Sequence, residues 1–318
     1  MADLVFAVVH AGPHVSAQDA GRFGHLRHGV PASGPMDRLA HRAANLALGR
    51  PAGAAAIEVS LGGLVLDCVQ GQAMLAVTGG SFSVAVDGVA MGSWSVFPIR
   101  AGSRLSLRPG RWGSWAYLAF SAVLETKLWL GSAATHALSG LGGGTVRSGD
   151  QLRASGDGGP MRPAQPLPCP VFARPRDVVR VVPGPQDRFF APATLATLMS
   201  APFRLSDGYD RMGVRLTGPA LHPTAALTMP SEPIVRGSVQ VAGDGVATVL
   251  LADHQTTGGY PKIATVIDAD LDSFAQLRPH ASLRFQPVDP SRAIALARLQ
   301  GAATQLYLAG ISARHSAN

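Results

Sequence analysis

The chain has 318 residues, 47% hydrophobic and 15% charged, which excludes a disordered polymer and provides for a large core, more naturally in two domains than one. Its net charge is +7, but the arginines are spread singly (Arg22, Arg100, Arg153, Arg236, Arg284) and aromatics make up only 6%, unlike the clustered, aromatic-interleaved pattern of a nucleic-acid binder; the charge points instead to an acidic protein partner or an anionic substrate. Cys68 and Cys169 form neither a disulfide framework nor a metal-ligand spacing, the N-terminus has no basic leader, and no stretch supplies the ~20 apolar residues of a membrane span, so the expectation is a soluble, cytoplasmic protein with reduced thiols.

The 37 glycines and 24 prolines suit many short strands joined by turns. In chain order, apolar runs predict strands at 4–9, 64–68, 73–77, 81–86, 104–107 and 114–120, then at 178–182, 239–241, 248–251, 263–267 and 282–285. Three segments read as helical. Residues 36–48 carry Leu39, Ala43, Leu46 and Ala47 on one face, with Gly49 as a stop. Residues 187–199 carry a weaker pattern. Residues 290–308 open with Asp289 as N-cap and Pro290 at the first helical position, followed by Ala293, Leu296 and Leu299 at helical spacing. Between the two strand-rich halves, residues 154–176 (ASGDGGPMRPAQPLPCPVFARPR) have no periodicity and read as a linker. The expected organisation is an N-terminal barrel over 1–160, a Pro/Gly-rich linker over 161–177, a C-terminal barrel over 178–288, and a helix with tail over 289–318.

The two halves resemble each other. Gly80-Ser81, Val84 and Asp87-Gly88-Val89-Ala90 recur at one constant offset as Gly237-Ser238, Val241 and Asp244-Gly245-Val246-Ala247. Asp37-Arg38 with Arg42 matches Asp210-Arg211 with Arg215 at a different offset, and Glu58 and Glu232 follow. Matches in this order favour a duplicated β domain.

The densest polar segment lies between two apolar runs. Asp253-His254-Gln255-Thr256-Thr257-Gly258-Gly259-Tyr260-Pro261-Lys262 offers a carboxylate, an amide, two hydroxyls, a phenol and an ammonium, and its paired glycines let backbone approach a ligand. Lys262 stands out because Lys127 is the only other lysine; it is read either as a solvated strand end or as a contact to a carboxylate or phosphate. Glu232 lies in a Pro-bounded loop, Met229-Pro230-Ser231-Glu232-Pro233. Histidine is the side-chain type suited to proton transfer near neutral pH, so His136 is a candidate base or a satisfied loop histidine. No Walker, GxSxG or HExxH pattern occurs.

Gln18-Asp19-Ala20-Gly21-Arg22-Phe23-Gly24 and Gly29-Val30-Pro31-Ala32-Ser33-Gly34-Pro35-Met36-Asp37 resemble the opening of the biotin-dependent carboxyltransferase-like family, which includes the C subunit of 5-oxoprolinase, the Kip antagonist and allophanate hydrolase subunit 2. Further blocks agree in order: Gly131-Ser132-Ala133-Ala134-Thr135-His136 with Gly149-Asp150, Gly184-Pro185-Gln186, Asp210 to Leu216, Ser231-Glu232, and Gln255 to Pro261. The resemblance implies a mainly β fold of two tandem cyclophilin-like barrels with a few short helices and a C-terminal helix. It implies the ATP-dependent opening of 5-oxo-L-proline to L-glutamate in a complex with the Kip inhibitor-like B subunit of 5-oxoprolinase and its A subunit. ATP then sits in another polypeptide of the complex or in a non-Walker site. Biotin is not expected for this reaction; only the carboxyltransferase alternative would need it, supplied in trans, because the chain has no Ala-Met-Lys-Met acceptor. The implied site has Glu232, Lys262 and His136 as catalytic candidates, and Gln240, Asp253, Gln255, Thr256, Thr257, Gly258, Gly259, Tyr260 and Arg211 as substrate contacts, with no metal. Tyr209, Pro233, Arg236, Ala133 and His254 depart from the family's usual residues, which bears on substrate identity rather than fold. The alternatives are a carboxyltransferase component that works on urea or a related amide, and a non-enzymatic regulator that binds a Kip inhibitor-like protein.

Overall fold

A computed structural model describes residues 4–156, 158–224 and 229–317; Asp157 of the expected linker and the terminal positions 1–3 and 318 lie outside the described residues. The chain is mainly β and divides into two compact units, one formed by residues 1–22, 33–174 and 304–318, the other by 23–32 and 175–303.

The first unit is built from two antiparallel sheets around one core. One sheet runs in the order Val123–Leu124, Gln151–Ser155, Leu4–Ala11, Leu64–Gln70, Arg104–Arg108, Ser83–Val86, Val89–Ala90. Its strands alternate: Leu64, Leu66 and Cys68 point inward from one, Leu105 and Leu107 from the next, because successive side chains face opposite sides of the pleat. The other sheet runs Gln165–Pro166, Ser95–Arg100, Gln72–Thr78, Ala116–Phe120, Ala56–Val59, Ser16–Gln18. Its central strands, Gln72–Thr78 and Ala116–Phe120, are buried almost throughout instead of alternating. The cause is helix α1, Arg38–Ala47, which covers their outer face and anchors there through Thr78 Oγ1 donating to Ala40 O at 2.7 Å.

The second unit contains a closed barrel in the order Val178–Pro183, Lys262–Val266, Ser238–Val241, Ala247–Leu250, Gly213–Thr217, Phe203–Tyr209, Ser282–Pro287, the last strand returning to the first in parallel. Its core includes Val181, Phe203, Val239, Val249, Ile263 and Phe285. Closure leaves no free edge. A short ribbon, Glu232–Pro233 paired with Thr257–Gly258, stands apart from the barrel ladder.

The helices depart from expectation in instructive ways. The single helix expected over 187–199 is a 3₁₀ turn, Asp187–Phe189, then α2, Pro192–Ser200. Pro192 forbids its predecessor the helical conformation, and Ala191 is extended at φ −63°, ψ 150°. Helix α3, Asp268–Ala275, is not predicted by its sequence pattern; its Asp270 accepts from Arg180 N at 2.8 Å and Nε at 2.9 Å, which ties it to the barrel. Helix α4 runs from Pro290 to Ala317, and Asp289 caps it by accepting from Arg292 N at 2.8 Å. No described helix is long and apolar enough to cross a membrane.

The internal repeat separates into a structural part and a coincidence. Asp87-Gly88 is the tip of the hairpin between Ser83–Val86 and Val89–Ala90, with both residues at positive φ (51° and 81°). Its counterpart, with Gly245 at φ 77°, joins Ser238–Val241 to Ala247–Leu250. The Asp-Arg match does not carry over. Asp37 is the N-cap of α1, accepting from Ala40 N at 2.9 Å. Asp210 instead closes a β-turn, accepting from Met212 N at 2.8 Å and Gly213 N at 3.2 Å. A short acid serves both motifs because both present free backbone N–H groups.

Candidate functional site

Two neighbouring antiparallel strands of the second unit place Gln240 opposite Lys262 across a local bulge. The sequence dictates this: Lys262 opens an apolar strand after Pro261, and Gln240 is the single polar side chain between Val239 and Val241. The Lys262 side chain is only 4% exposed. Its ammonium donates to Glu232 Oε2 and Pro233 O, each at 3.4 Å. Glu232 belongs to the short ribbon, and its side chain is 39% exposed, so one carboxylate joins a buried cation to solvent.

Gln186 completes the arrangement, a residue that sequence reasoning does not assign to the site. It is 1% exposed. Its Oε1 accepts from Lys262 N at 2.8 Å, its backbone N donates to Lys262 O at 3.1 Å, and its side-chain amide donates to Glu232 Oε2. The available signal is its place in Gly184-Pro185-Gln186, a motif that by itself carries no role for the amide.

Gly258 shows why that position must lack a side chain. A Cβ there would lie 2.6 Å from Ile234 Cδ1, 2.9 Å from Gln240 Nε2 and 3.3 Å from Gln255 Nε2. Two carboxamides therefore converge on one stretch of bare backbone. Gln240 also donates to Tyr260 O at 3.4 Å. Gln240, Gln255 and Tyr260 line a groove of about 370 Å³ together with Asp210, Met212 and Arg215. Gln240 thus lies both beside Lys262 and on the groove wall.

The remaining candidates are placed differently. Arg211 and Asp253 form a bidentate pair at 3.0 Å for both bonds, with side chains 1% and 3% exposed. Asp253 N also donates to Arg211 O at 2.8 Å. The pair clamps the turn after Phe203–Tyr209 to the start of the polar loop and does not line the groove. Thr256 and Thr257 serve the ribbon through their backbones: Thr256 O accepts from Ile234 N at 3.0 Å and Thr257 pairs with Pro233. Gly259 faces Met229 O and Ser231 Oγ at 3.6 and 3.9 Å from a virtual Cβ. His254 is buried; desolvation pulls its imidazole below the ordinary range, and Nδ1 lies 2.7 Å from Gln255 O. His136 belongs to the first unit and bonds locally, Nδ1 to Ser139 Oγ at 2.9 Å. Asp19 and Arg22, three residues apart in the opening motif, have separate tasks. Asp19 accepts from Gly21 N, Ser132 Oγ and Ala133 N, while Arg22 donates to Trp129 O and Ala134 O. Among the described residues, no group of three His, Cys, Asp or Glu side chains is placed to hold a metal ion.

The site therefore combines a buried cation, a carboxylate with a solvent-facing edge, and two amides that offer both donors and acceptors. The family model described as carboxyltransferase domain, subdomain A and B, matches residues 28–287. The chain belongs to this family. Over 284 residues it is 36% identical to the C subunit of 5-oxoprolinase from Haemophilus influenzae, covering 88% of this chain and 90% of the relative. The protein of the same name from Escherichia coli K12 is 33% identical, over 85% of this chain and 87% of the relative. Among solved structures, Kluyveromyces lactis urea carboxylase superposes with a TM-score of 0.84 at 25% identity over 95% of this chain, which spans 29% of that much longer protein. All the residues of the Lys262 cluster fall inside the segment the family model matches.

Proposed function

We propose that the chain is the C subunit of an ATP-dependent 5-oxoprolinase complex that converts 5-oxo-L-proline to L-glutamate, together with the Kip inhibitor-like B subunit of that enzyme and its A subunit, in the cytoplasm. The likeness to two relatives of that name over most of both lengths supports the class. The observation that carries the chemistry is the buried Lys262 ammonium held beside Glu232 and two converging glutamines. A lactam presents one N–H donor and one C=O acceptor, and a carboxamide matches both. Gln240 and Gln255, whose amides converge at Gly258, would read such a group. Lys262 would neutralise charge developing on the lactam oxygen, where a preorganised cation in a dry site acts most strongly. Glu232, bonded to Lys262 and open to solvent, would hold the proton that must move.

ATP fits this cluster poorly. A triphosphate carries several negative charges, whereas Lys262 is already balanced by Glu232. We assign the nucleotide to a partner protein of the complex. The test is co-expression with the two candidate partners, followed by measurement of glutamate formed from 5-oxo-L-proline with and without ATP. Glutamate release that requires all three proteins supports the reading; turnover by this chain alone, or none by the complex, refutes it. The superposition on a urea carboxylase favours a second reading, transfer of a carboxyl group to urea or a related amide, and the same complex should be offered urea with a biotin-bearing partner.

A further inference from the structure

The first unit holds a cavity of about 190 Å³ that the proposed chemistry does not use, and every residue lining it belongs to that unit. Met74 and Val96 reach it from one face of their sheet, while Leu75 and Phe97 of the same strands point the other way into the core. Leu48, just past α1, adds a third apolar wall and is 6% exposed. The segment 158–167 runs along the cavity. Ser121 Oγ donates to Gly158 O at 2.7 Å, Arg162 N donates to Met74 Sδ at 3.4 Å, and Gln165 pairs with Val96. The end of α4 brings Ile311, 1% exposed, with Arg314 and His315 one turn further along the same face. A Cβ at Gly49 would collide with the His315 imidazole, so that ring packs on bare backbone.

The lining is therefore apolar and cationic, and among the described residues none that lines it is acidic. Arg314 and His315 lie in the last turn of α4, where the helix dipole favours cations with or without a ligand. Arg162 is a different case. It comes from the connecting segment, is half-buried, and donates through Nη1 to His315 O at 3.3 Å. Among the described residues its side chain makes no other hydrogen bond or ion pair. A guanidinium carries five N–H donors in a planar fork, so an edge suited to a carboxylate remains beside the apolar walls.

We propose that this cavity binds a compact apolar monocarboxylate, its carboxylate on Arg162 and its body between Leu48, Met74, Val96 and Ile311. Size agrees with this class. An apolar cavity of roughly 150 Å³ takes up benzene, so this one has room for a ring of that size with its charged group at Arg162. Phosphate has no apolar body and would leave those walls unfilled. The cavity shares no residue with the Lys262 cluster, which lies in the second unit.

The test is calorimetric titration of the full chain with benzoate, with its uncharged isostere benzamide, and with inorganic phosphate. Saturable one-to-one binding of benzoate is expected. Benzamide should bind about tenfold more weakly or worse, because it lacks the charge that strengthens the bonds to the guanidinium. Arg162→Gln should weaken benzoate by a similar factor, and Val96→Phe, which fills the cavity, should abolish binding. Neither position is fully buried, and melts without ligand will show that both variants fold. Asp157→Asn, next in sequence to Gly158, should leave the affinity unchanged. The proposal is overturned by a failure to saturate, by equal affinity for benzamide, by phosphate displacing benzoate, or by binding that survives Arg162→Gln or Val96→Phe. A gain of about tenfold in Asp157→Asn would also overturn it, by showing that the chain's own carboxylate is the occupant.

Discussion

Replacing Lys262 by Met removes the site's cation while keeping its length. The structure sets the stability cost. Truncating one member of a fully buried ion pair costs about 3–5 kcal/mol, because the other charge is stranded in low dielectric. Here the surviving partner is Glu232, 39% exposed and 3.4 Å from the ammonium, so water can reach the carboxylate once the lysine is gone. The pair is worth no more than an exposed one, about 0–1 kcal/mol, and a buried ammonium's desolvation is relieved at the same time. A change of about 1 kcal/mol shifts the melting temperature by roughly 2–4 °C in a protein of this class. The catalytic cost is separate. If Lys262 stabilises charge formed only in the transition state, its loss should lower kcat/KM at least tenfold, about 1.4 kcal/mol or more. The assay is ATP-dependent glutamate release in the reconstituted complex, with thermal melts in parallel. Wild-type turnover would reduce the polar loop to a structural turn. A collapse of the melting temperature would show instead that the lysine is architectural.

Arg211→Met should behave in the opposite way. It strands Asp253, which is 3% exposed, so a loss of about 3–5 kcal/mol is expected in denaturant unfolding. Burial pushes the His41 imidazole down to about 4 from 6.5, so between those values the unfolded chain takes up a proton that the folded chain refuses. Stability should therefore fall as pH drops from about 6.5 to 4, by up to about 3 kcal/mol from this group. His41→Gln lacks this component, so its stability deficit relative to wild type should shrink over that range, as urea melts at several pH values will show. Gly258→Ala would place a methyl 2.6 Å from Ile234 Cδ1 and 2.9 Å from Gln240 Nε2, and should lower kcat/KM of the complex several-fold by displacing the Gln240 amide while the barrel stays folded in circular dichroism.

Much of the fold is legible in the sequence because strand period and turn chemistry are local. The alternation of Leu64, Leu66 and Cys68 and the Asp-Gly hairpin tips can be read without tertiary knowledge. Helix α3 is not legible: Asp268-Ala269-Asp270-Leu271-Asp272 has no clean apolar face, and its place is set by Asp270 gripping Arg180 from a distant strand. The polar loop is visible as chemistry, but not which of its members face inward. Sequence density alone does not separate Lys262, beside an accessible carboxylate, from Asp253, sealed by an arginine 42 residues away. Gln186 shows the same limit, since its role is fixed by hydrogen bonds to Lys262 and Glu232 that only the closed barrel creates.

The two glutamates matched in the repeat differ sharply in burial. Glu58 is 0% exposed; its Oε2 accepts from Met36 N at 2.8 Å and from Tyr117 Oη at 2.7 Å. Tyr117 Oη in turn accepts from Asp37 N at 2.7 Å, the residue that caps α1. Burial and the neighbouring carboxylates hold the Tyr117 phenol well above its ordinary range, so it stays protonated and serves as a fixed donor. That network locks the helix onto the sheet, and its carboxylate and phenol are both fully buried. Glu232 has a comparable place in the sequence order but lies in a short ribbon apart from the barrel ladder. It keeps a solvent-facing edge while contacting the buried Lys262. A carboxylate that must exchange a proton needs such a dual exposure. The difference lies in what covers each glutamate rather than in the residue itself, and it is why the proposed chemistry rests on the second unit.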